Sequence, residues 1–307
     1  MLFALALIPV IILLIVIYKN DRNDKEPIGL LIGLFFAGAA TVISAIIAEA
    51  LGDLVFDFIF PRESSFKAAL FAVVIIGPAE ELGKFFILWL ITWKNKHFNY
   101  SYDAIVYAVF VSLGFAALEN IGYVFSNGLG TAIIRMFTAI PGHASFAVFM
   151  GFFYSRAKYA SITKEKGRCA FNMIFAIVLP SILHGIYDAI AMGAREANID
   201  FLAGIAVIVW ILFVIALFVM SIITVINSAK HDFCIVRLPD NTQTVYRPRV
   251  AGNWTCTCGT VNYLNFCSEC GKQRPLNNTW RCPKCGMTGT FNFCGNCGCP
   301  KPSPETL

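Results

Sequence analysis

Apolar residues in this chain run in long blocks rather than in stripes. Seven stretches, about residues 2–18, 28–50, 66–93, 102–126, 131–155, 170–193 and 200–227, are almost continuously apolar. Each approaches or exceeds the roughly 20 residues that a helix needs to cross a hydrocarbon layer. Short polar loops separate them, so the pattern predicts an all-α polytopic membrane protein of about seven transmembrane helices. The first stretch has no basic region ahead of it and no small-residue cleavage site after it, so it reads as a retained span rather than a signal peptide. Residues 51–65 are too short and too charged to cross and are expected to form an interfacial helix.

Past residue 227 the pattern ends. Residues 228–252 read as a polar linker, 253–298 as a cysteine-rich module and 299–307 as a short tail. Ten of the 11 cysteines lie between Cys234 and Cys299. Composition sharpens the division. The chain is 57% hydrophobic and 14% charged, whereas soluble domains carry about 25% charged residues. Residues 1–227 hold 15 basic and 15 acidic groups; residues 228–307 hold 9 and 4, which accounts for the whole net charge of +5. A secreted enzyme, a single soluble domain and a disordered chain are excluded.

Loop charges predict orientation. Loops one, three and five carry ten Lys and Arg, namely Lys19, Arg22, Lys25, Lys94, Lys96, Arg156, Lys158, Lys164, Lys166 and Arg168. Loops two, four and six carry Arg62, Lys67, Arg135 and Arg195. The richer side faces the cytoplasm, which puts the N-terminus outside the cell membrane and the tail inside.

In the tail, Cys256, Cys258, Cys267 and Cys270 form one four-cysteine set and Cys282, Cys285, Cys294 and Cys297 a second. Cys258, Cys267 and Cys270 each recur 27 residues later, and Asn-Phe-Cys at 265–267 recurs at 292–294. Paired thiolates on two knuckles per unit suit a tetrahedral structural zinc, and a reducing compartment favours metal over disulfides. Two zinc ions are therefore expected, with all eight thiolates consumed. The pair resembles the double zinc ribbons of membrane and regulatory proteins, and the resemblance implies docking to a cytoplasmic partner. The basic residues are scattered rather than clustered, which argues against nucleic-acid binding.

Ionisable residues inside the spans carry the chemistry. Glu80 and Glu81 lie in the third stretch, Glu119 in the fourth, His143 in the fifth, and His184 and Asp188 in the sixth. At ~1.5 Å per residue these positions converge on one layer at or outward of the midplane. A charge at the centre of a span costs roughly 2.5–3.5 kcal/mol, so such groups are expected to face one another or water. Lys84 is spaced to neutralise Glu80 or Glu81, and Asp188 to accept from a ring N–H of His184. Pro141-Gly142 beside His143, and Gly114 and Gly122 around Glu119, allow bending or close helix approach. Asn120 reads as a supporting group and Glu49 as interfacial. A carboxylate in an apolar cavity is a usable general base, and two imidazoles can donate to an oxyanion or a leaving amine. A transporter or proton relay uses the same chain of groups but commonly shows internal repeats, absent among the spans. A non-catalytic scaffold that recruits partners through the zinc ribbons is the third reading.

These residues also carry a resemblance. Glu80-Glu81-x-x-Lys84, Phe115-x3-Glu119-Asn120, Gly142-His143-Ala-Ser-Phe146 and His184-Gly-Ile-Tyr-Asp188, in that order, resemble the PrsW family of intramembrane proteases, related to the CAAX prenyl endopeptidases. The likeness covers roughly residues 1–227, including the Asp24-Lys-Glu26-Pro27 turn. It implies a CAAX-protease-like bundle and hydrolysis of peptide bonds in membrane-associated proteins, including first-site regulatory cleavage on the outer side. It assigns Glu80 and Glu81 as base, with Glu119, His143 and His184 completing the site. The sequence departs from the prenyl endopeptidases at Glu119, where they carry histidine, and at Asp188, where they carry asparagine, so prenylated substrates are not implied. Likeness to the prenyl endopeptidases favours a metal-free glutamate mechanism. The same carboxylates and imidazoles also suit a zinc-like ion with an open position for water.

Overall fold

The computed structural model describes residues 2–21, 23–196 and 200–235 and, in the tail, 254–262, 269, 272, 280–281 and 288–289. The chain divides into two compact units, Met1–Tyr246 and Arg247–Leu307.

The first unit is helical: α1 Leu2–Asn20, α2 Ile28–Ile59, α3 Ser65–Phe71, a π-helical turn Ala72–Ile76, α4 Gly77–Thr92, α5 Asp103–Phe137, α6 Ala139–Ile162, α7 Lys166–Glu196 and α8 Asp200–Lys230. Among the described residues, four helical segments are long and apolar enough to cross a membrane: Ile28–Ile59, Asp103–Ile162, Lys166–Met192 and Gly204–Lys230. Ala6–Asn20 is apolar but shorter. The expected third span is α3, the π turn and α4 run together. The expected fourth and fifth fall in the single segment Asp103–Ile162, which turns at Gly128, where φ is 79°. That left-handed conformation is open to glycine and costly for other residues.

Residues 51–59 do not form a separate interfacial helix. They continue α2, because nothing between Glu49 and Ile59 breaks the helical ladder before Pro61. Beyond the break, Ser64 caps α3 by accepting from the Lys67 amide at 3.1 Å.

α5 and α6 form the centre. Their apolar segment is 78% buried, against 28% or less in α2, α7 and α8, whose exposed Ile, Leu, Val and Phe side chains present an apolar outer surface. That is the distribution of a bundle solvated by lipid. Several crossings are backbone-close, and two of them bear on the site. A Cβ on Gly114 would lie 1.9 Å from the Phe35 carbonyl oxygen, and one on Gly185 would lie 2.5 Å from Val73 Cα. Only glycine lets α5 meet α2, and α7 meet the π turn, at these points. Gly122, by contrast, faces open space, so it contributes no helix approach.

In the second unit, β1 (Trp254–Thr255) pairs antiparallel with β2 (Val261–Asn262), and β3 (Trp280–Arg281) with β4 (Thr288–Gly289). Each hairpin starts at a tryptophan. Between β1 and β2 the Gly259 amide donates to the Cys256 carbonyl at 2.9 Å, with Gly259 at φ 89°. Cys256 is buried and Cys258 exposed. Cys267, Cys270, Cys282, Cys285, Cys294 and Cys297 lie outside the described residues, as does the zinc coordination expected of them.

Candidate active site

Four helices bring the buried polar groups together. The π turn ends immediately before α4, and such turns recur at functional sites because they rotate the following residues relative to a regular helix. Glu80, Glu81 and Lys84 then share one buried face of α4. The Lys84 side chain is fully buried; its Nζ lies 3.0 Å from Glu80 Oε2 and 2.7 Å from Glu81 Oε1. It also lies 3.2 Å from His143 Nδ1 and 4.0 Å from the centre of the Phe115 ring.

His184 enters from α7, which the Gly185 crossing holds against the π turn. Its Nδ1 is 3.0 Å from Glu81 Oε1 and 3.8 Å from Glu80 Oε2, and its Nε2 is 3.3 Å from Asp188 Oδ2. Both ring nitrogens therefore face carboxylates. Phe146 stacks on the ring at 4.8 Å and limits its rotation. His143, from α6, meets His184 edge to face at 5.1 Å, while its carbonyl accepts from Ser112 at 2.9 Å.

Glu119 sits on the far side of His143, its Oε2 3.0 Å from Nε2. Arg135 holds that carboxylate at 2.7 Å and donates to Asn120 Oδ1 at 2.9 Å, while Asn120 donates to the Ala6 carbonyl at 3.1 Å. Asn120 thus supports Arg135 rather than the buried cluster itself. Sequence reasoning counts Arg135 only as a loop charge; the available signal is an arginine a few residues into the apolar stretch 131–155. Glu49, expected at the interface, is half-buried on α2 and interacts electrostatically with Glu119, Asp188 and His184. A cavity of about 420 Å³ adjoins the cluster, with Arg135, Thr138 and Asp188 among its polar lining and Tyr187, Val207 and Trp210 among its apolar lining.

Donor atoms of Glu80, Glu81, His143 and His184 lie within 4.8 Å of one another. Two imidazoles and two carboxylates are borderline donors that suit zinc, and Glu81 Oε2 is buried without a hydrogen-bond partner. The residues fit a metal ion. Glu119, grouped with them from sequence, is not one of the four. Lys84 already contacts three of these residues, so its ammonium and an ion compete for the same donors.

Residues 26–220 match the model of the family described as PrsW family intramembrane metalloprotease. The chain is 33% identical to protease PrsW of Oceanobacillus iheyensis over 204 residues, covering 66% of this chain and 88% of that protein. It is 35% identical to protease PrsW of Clostridioides difficile over 214 residues, covering 68% and 87%. Against protease PrsW of Bacillus subtilis it is 33% identical over 183 residues, covering 59% and 78%. No solved structure matches. The chain belongs to the PrsW family and is a membrane-embedded protease.

Proposed function

We propose that this protein is a multi-pass endopeptidase that cuts membrane-associated proteins at or outside the membrane midplane, with the cluster of Glu80, Glu81, His143 and His184 as its hydrolytic centre. The observation that carries the reading is the convergence of these four side chains from α4, α6 and α7 within 4.8 Å. Their burial in an apolar bundle is costly without a function that uses it.

Catalytic zinc sites commonly use three protein ligands and leave a position open. Of the four donors, His143, His184 and Glu80 would hold the ion, which when bound supplies an acidified water and polarises the substrate carbonyl. Glu81 Oε2 accepts no hydrogen bond and is the atom assigned to take the proton from water. Asp188 and Glu119 orient the two imidazoles through one ring nitrogen each, as carboxylates do behind metal-binding histidines. Lys84 balances the carboxylate charge. This departs from the metal-free preference drawn from the prenyl endopeptidases, because four donors converge and the family is described as metalloprotease. The cavity beside Arg135 and Asp188 is the assigned entry for the substrate segment next to the scissile bond.

Loop charge supports a cytoplasmic tail, an external N-terminus and seven crossings, with α3, the π turn and α4 as one crossing and Asp103–Ile162 as two. Domain limits at 227, 252 and 298 and two structural zinc ions bound by the eight cysteines, docking a cytoplasmic partner, complete the reading. The repeat spacing supports the zinc assignment.

The test uses purified protein in liposomes and a single-span reporter whose cleavable segment flanks its span. Glu119→Gln and His184→Ala, each matched to wild type in thermal unfolding, are expected to lose cleavage. A zinc chelator applied to a chain ending at Tyr246 should abolish cleavage, and added zinc should restore it. Equal cleavage by all variants defeats the enzyme assignment; activity that survives chelation defeats the metal.

A further inference from the structure

At the end of the bundle away from the catalytic cluster, a cavity of about 820 Å³ lies between the start of α5, the last turns of α6, the first turns of α7 and the end of α8. Arg156 on its wall stands 13 residues after His143 on α6, about 20 Å along the helix axis. The cavity therefore sits where the spans give way to loop five, the level at which lipid headgroups meet water. Its volume falls within the ~300–1,000 Å³ of ordinary small-molecule sites.

The walls divide by chemistry. Ile105, Phe152, Phe153 and Phe171 make one side apolar. Phe171 is 55% exposed, and Ile174, Phe175 and Val178 continue the same exposed face further along α7. Phe175 closes on Phe153 and Phe171, with ring centres 5.5 and 4.4 Å apart. The apolar wall thus runs on into a stripe that faces lipid.

The other side is polar and basic. Arg156 and Arg168 line it, against a single carboxylate, Glu165. Glu165 already pairs with Arg168 at 2.7 Å, in an exposed contact that contributes little. Arg156 has no carboxylate partner among the described residues. Its guanidinium lies over the Phe152 ring, Cζ 3.3 Å from the ring centre, and donates to the Phe152 carbonyl at 3.3 Å, which leaves most of its five N–H groups unused. Ser155 beside it is 7% exposed, and its hydroxyl makes no hydrogen bond among the described residues. A buried hydroxyl without a partner is destabilising unless something in the cavity bonds it. Tyr159, Asn227 and Ser228 add further polar groups to this side.

A free guanidinium, an unbonded hydroxyl and an apolar wall that continues into lipid match a phosphodiester head carrying acyl chains. We propose that this cavity binds an anionic glycerophospholipid. Arg156 pairs with the phosphate oxygens, as guanidinium groups do bidentately, and the Ser155 hydroxyl donates to them. An acyl chain lies along Phe171, Ile174 and Val178. A zwitterionic lipid carries its own ammonium and gains less from a cavity with surplus positive charge. The bound lipid joins the loop ends of α6, α7 and α8.

The experiment uses the full chain in detergent, washed free of lipid. Thermal unfolding is followed during titration with dioleoyl phosphatidylglycerol, dioleoyl phosphatidylcholine or glycerol 3-phosphate. Phosphatidylglycerol should raise the midpoint saturably by ~3–5 °C, and the other two should not. Arg156→Gln should unfold at the wild-type midpoint without lipid, since the side chain is exposed and carries no ion pair, and should lose the response. Native mass spectrometry of wild type from an equimolar mixture of the two lipids should show phosphatidylglycerol retained in preference to phosphatidylcholine, a readout that needs no variant to fold. Equal shifts or equal retention with both lipids, or the same phosphatidylglycerol shift in Arg156→Gln, overturns the site. A shift with glycerol 3-phosphate gives the cavity to a soluble anion and overturns the lipid equally.

Discussion

Gly185→Ala is the substitution whose effect follows most directly from the coordinates. The new Cβ would stand 2.5 Å from Val73 Cα and 2.9 Å from the Ala72 carbonyl oxygen. Both are backbone atoms, so no rotamer change can relieve the overlap. Ordinary carbon contacts lie at about 3.5–4.0 Å, which requires α7 and the π turn to separate by roughly 1 Å. His184 precedes Gly185, and its Nδ1 sits 3.0 Å from Glu81 Oε1. Displaced by that amount, the pair lies near 4 Å, outside hydrogen-bond range. Misplacement of about 1 Å in a reacting constellation costs up to ~100-fold in rate, and overpacking a tight crossing costs about 1–3 kcal/mol of stability. The assay is the initial rate of reporter cleavage in liposomes at saturating reporter, with thermal unfolding of the same preparations. Gly122→Ala is the control: its Cβ meets nothing within 4 Å, so it should keep the wild-type rate and unfold no earlier. If Gly185→Ala cleaves at the wild-type rate, the α7 crossing does not set the geometry of the site.

Three further outcomes follow from named contacts. Arg135→Gln should lower kcat by about 10–100-fold with little change in unfolding temperature, since it frees Glu119 from behind His143 at a partly exposed position; an unchanged kcat would show that Glu119 needs no anchor. Lys84→Met should cost about 3–5 kcal/mol, because it strands two buried carboxylates, and an unshifted thermal midpoint in the presence of a chelator contradicts this. Burial raises the carboxyl of Asp21 to a pKa of about 7 and that of Glu26 to about 8. The folded state then holds protons that the unfolded chain releases, so stability should fall as pH rises from about 5 to 8 and level off above; a midpoint that climbs over that range refutes the raised values.

Local spacing made part of the site legible. Lys84 lies three and four residues after Glu81 and Glu80, and Asp188 four after His184, separations that force neighbours onto one helix face whatever the bundle does. The groups that sequence reasoning misplaced depend on tertiary geometry. Arg135 meets Glu119 across 16 residues only because Gly128 turns the chain, and nothing periodic announces that contact. The π turn at 72–76 has no signature in a uniformly apolar stretch, so the rotation that aims Glu80 and Glu81 at His184 was invisible. Residues 51–59 looked interfacial because three acidic residues interrupt the apolar run between Glu49 and Asp57, yet helical hydrogen bonding tolerates surface charge and α2 continued. The burial of Asp21 and Glu26 was hidden because both sit in a polar turn, where carboxylates are ordinarily solvated. Helix existence was easy to read and helix crossings were not, since crossings depend on which glycine meets which backbone.

The most direct measurement is single-turnover cleavage of the membrane reporter by Glu81→Gln, in protein whose thermal unfolding matches wild type. No product above background is expected, because glutamine keeps the shape of the side chain but cannot take a proton from water. Product formed at the wild-type rate by a folded Glu81→Gln protein would contradict it.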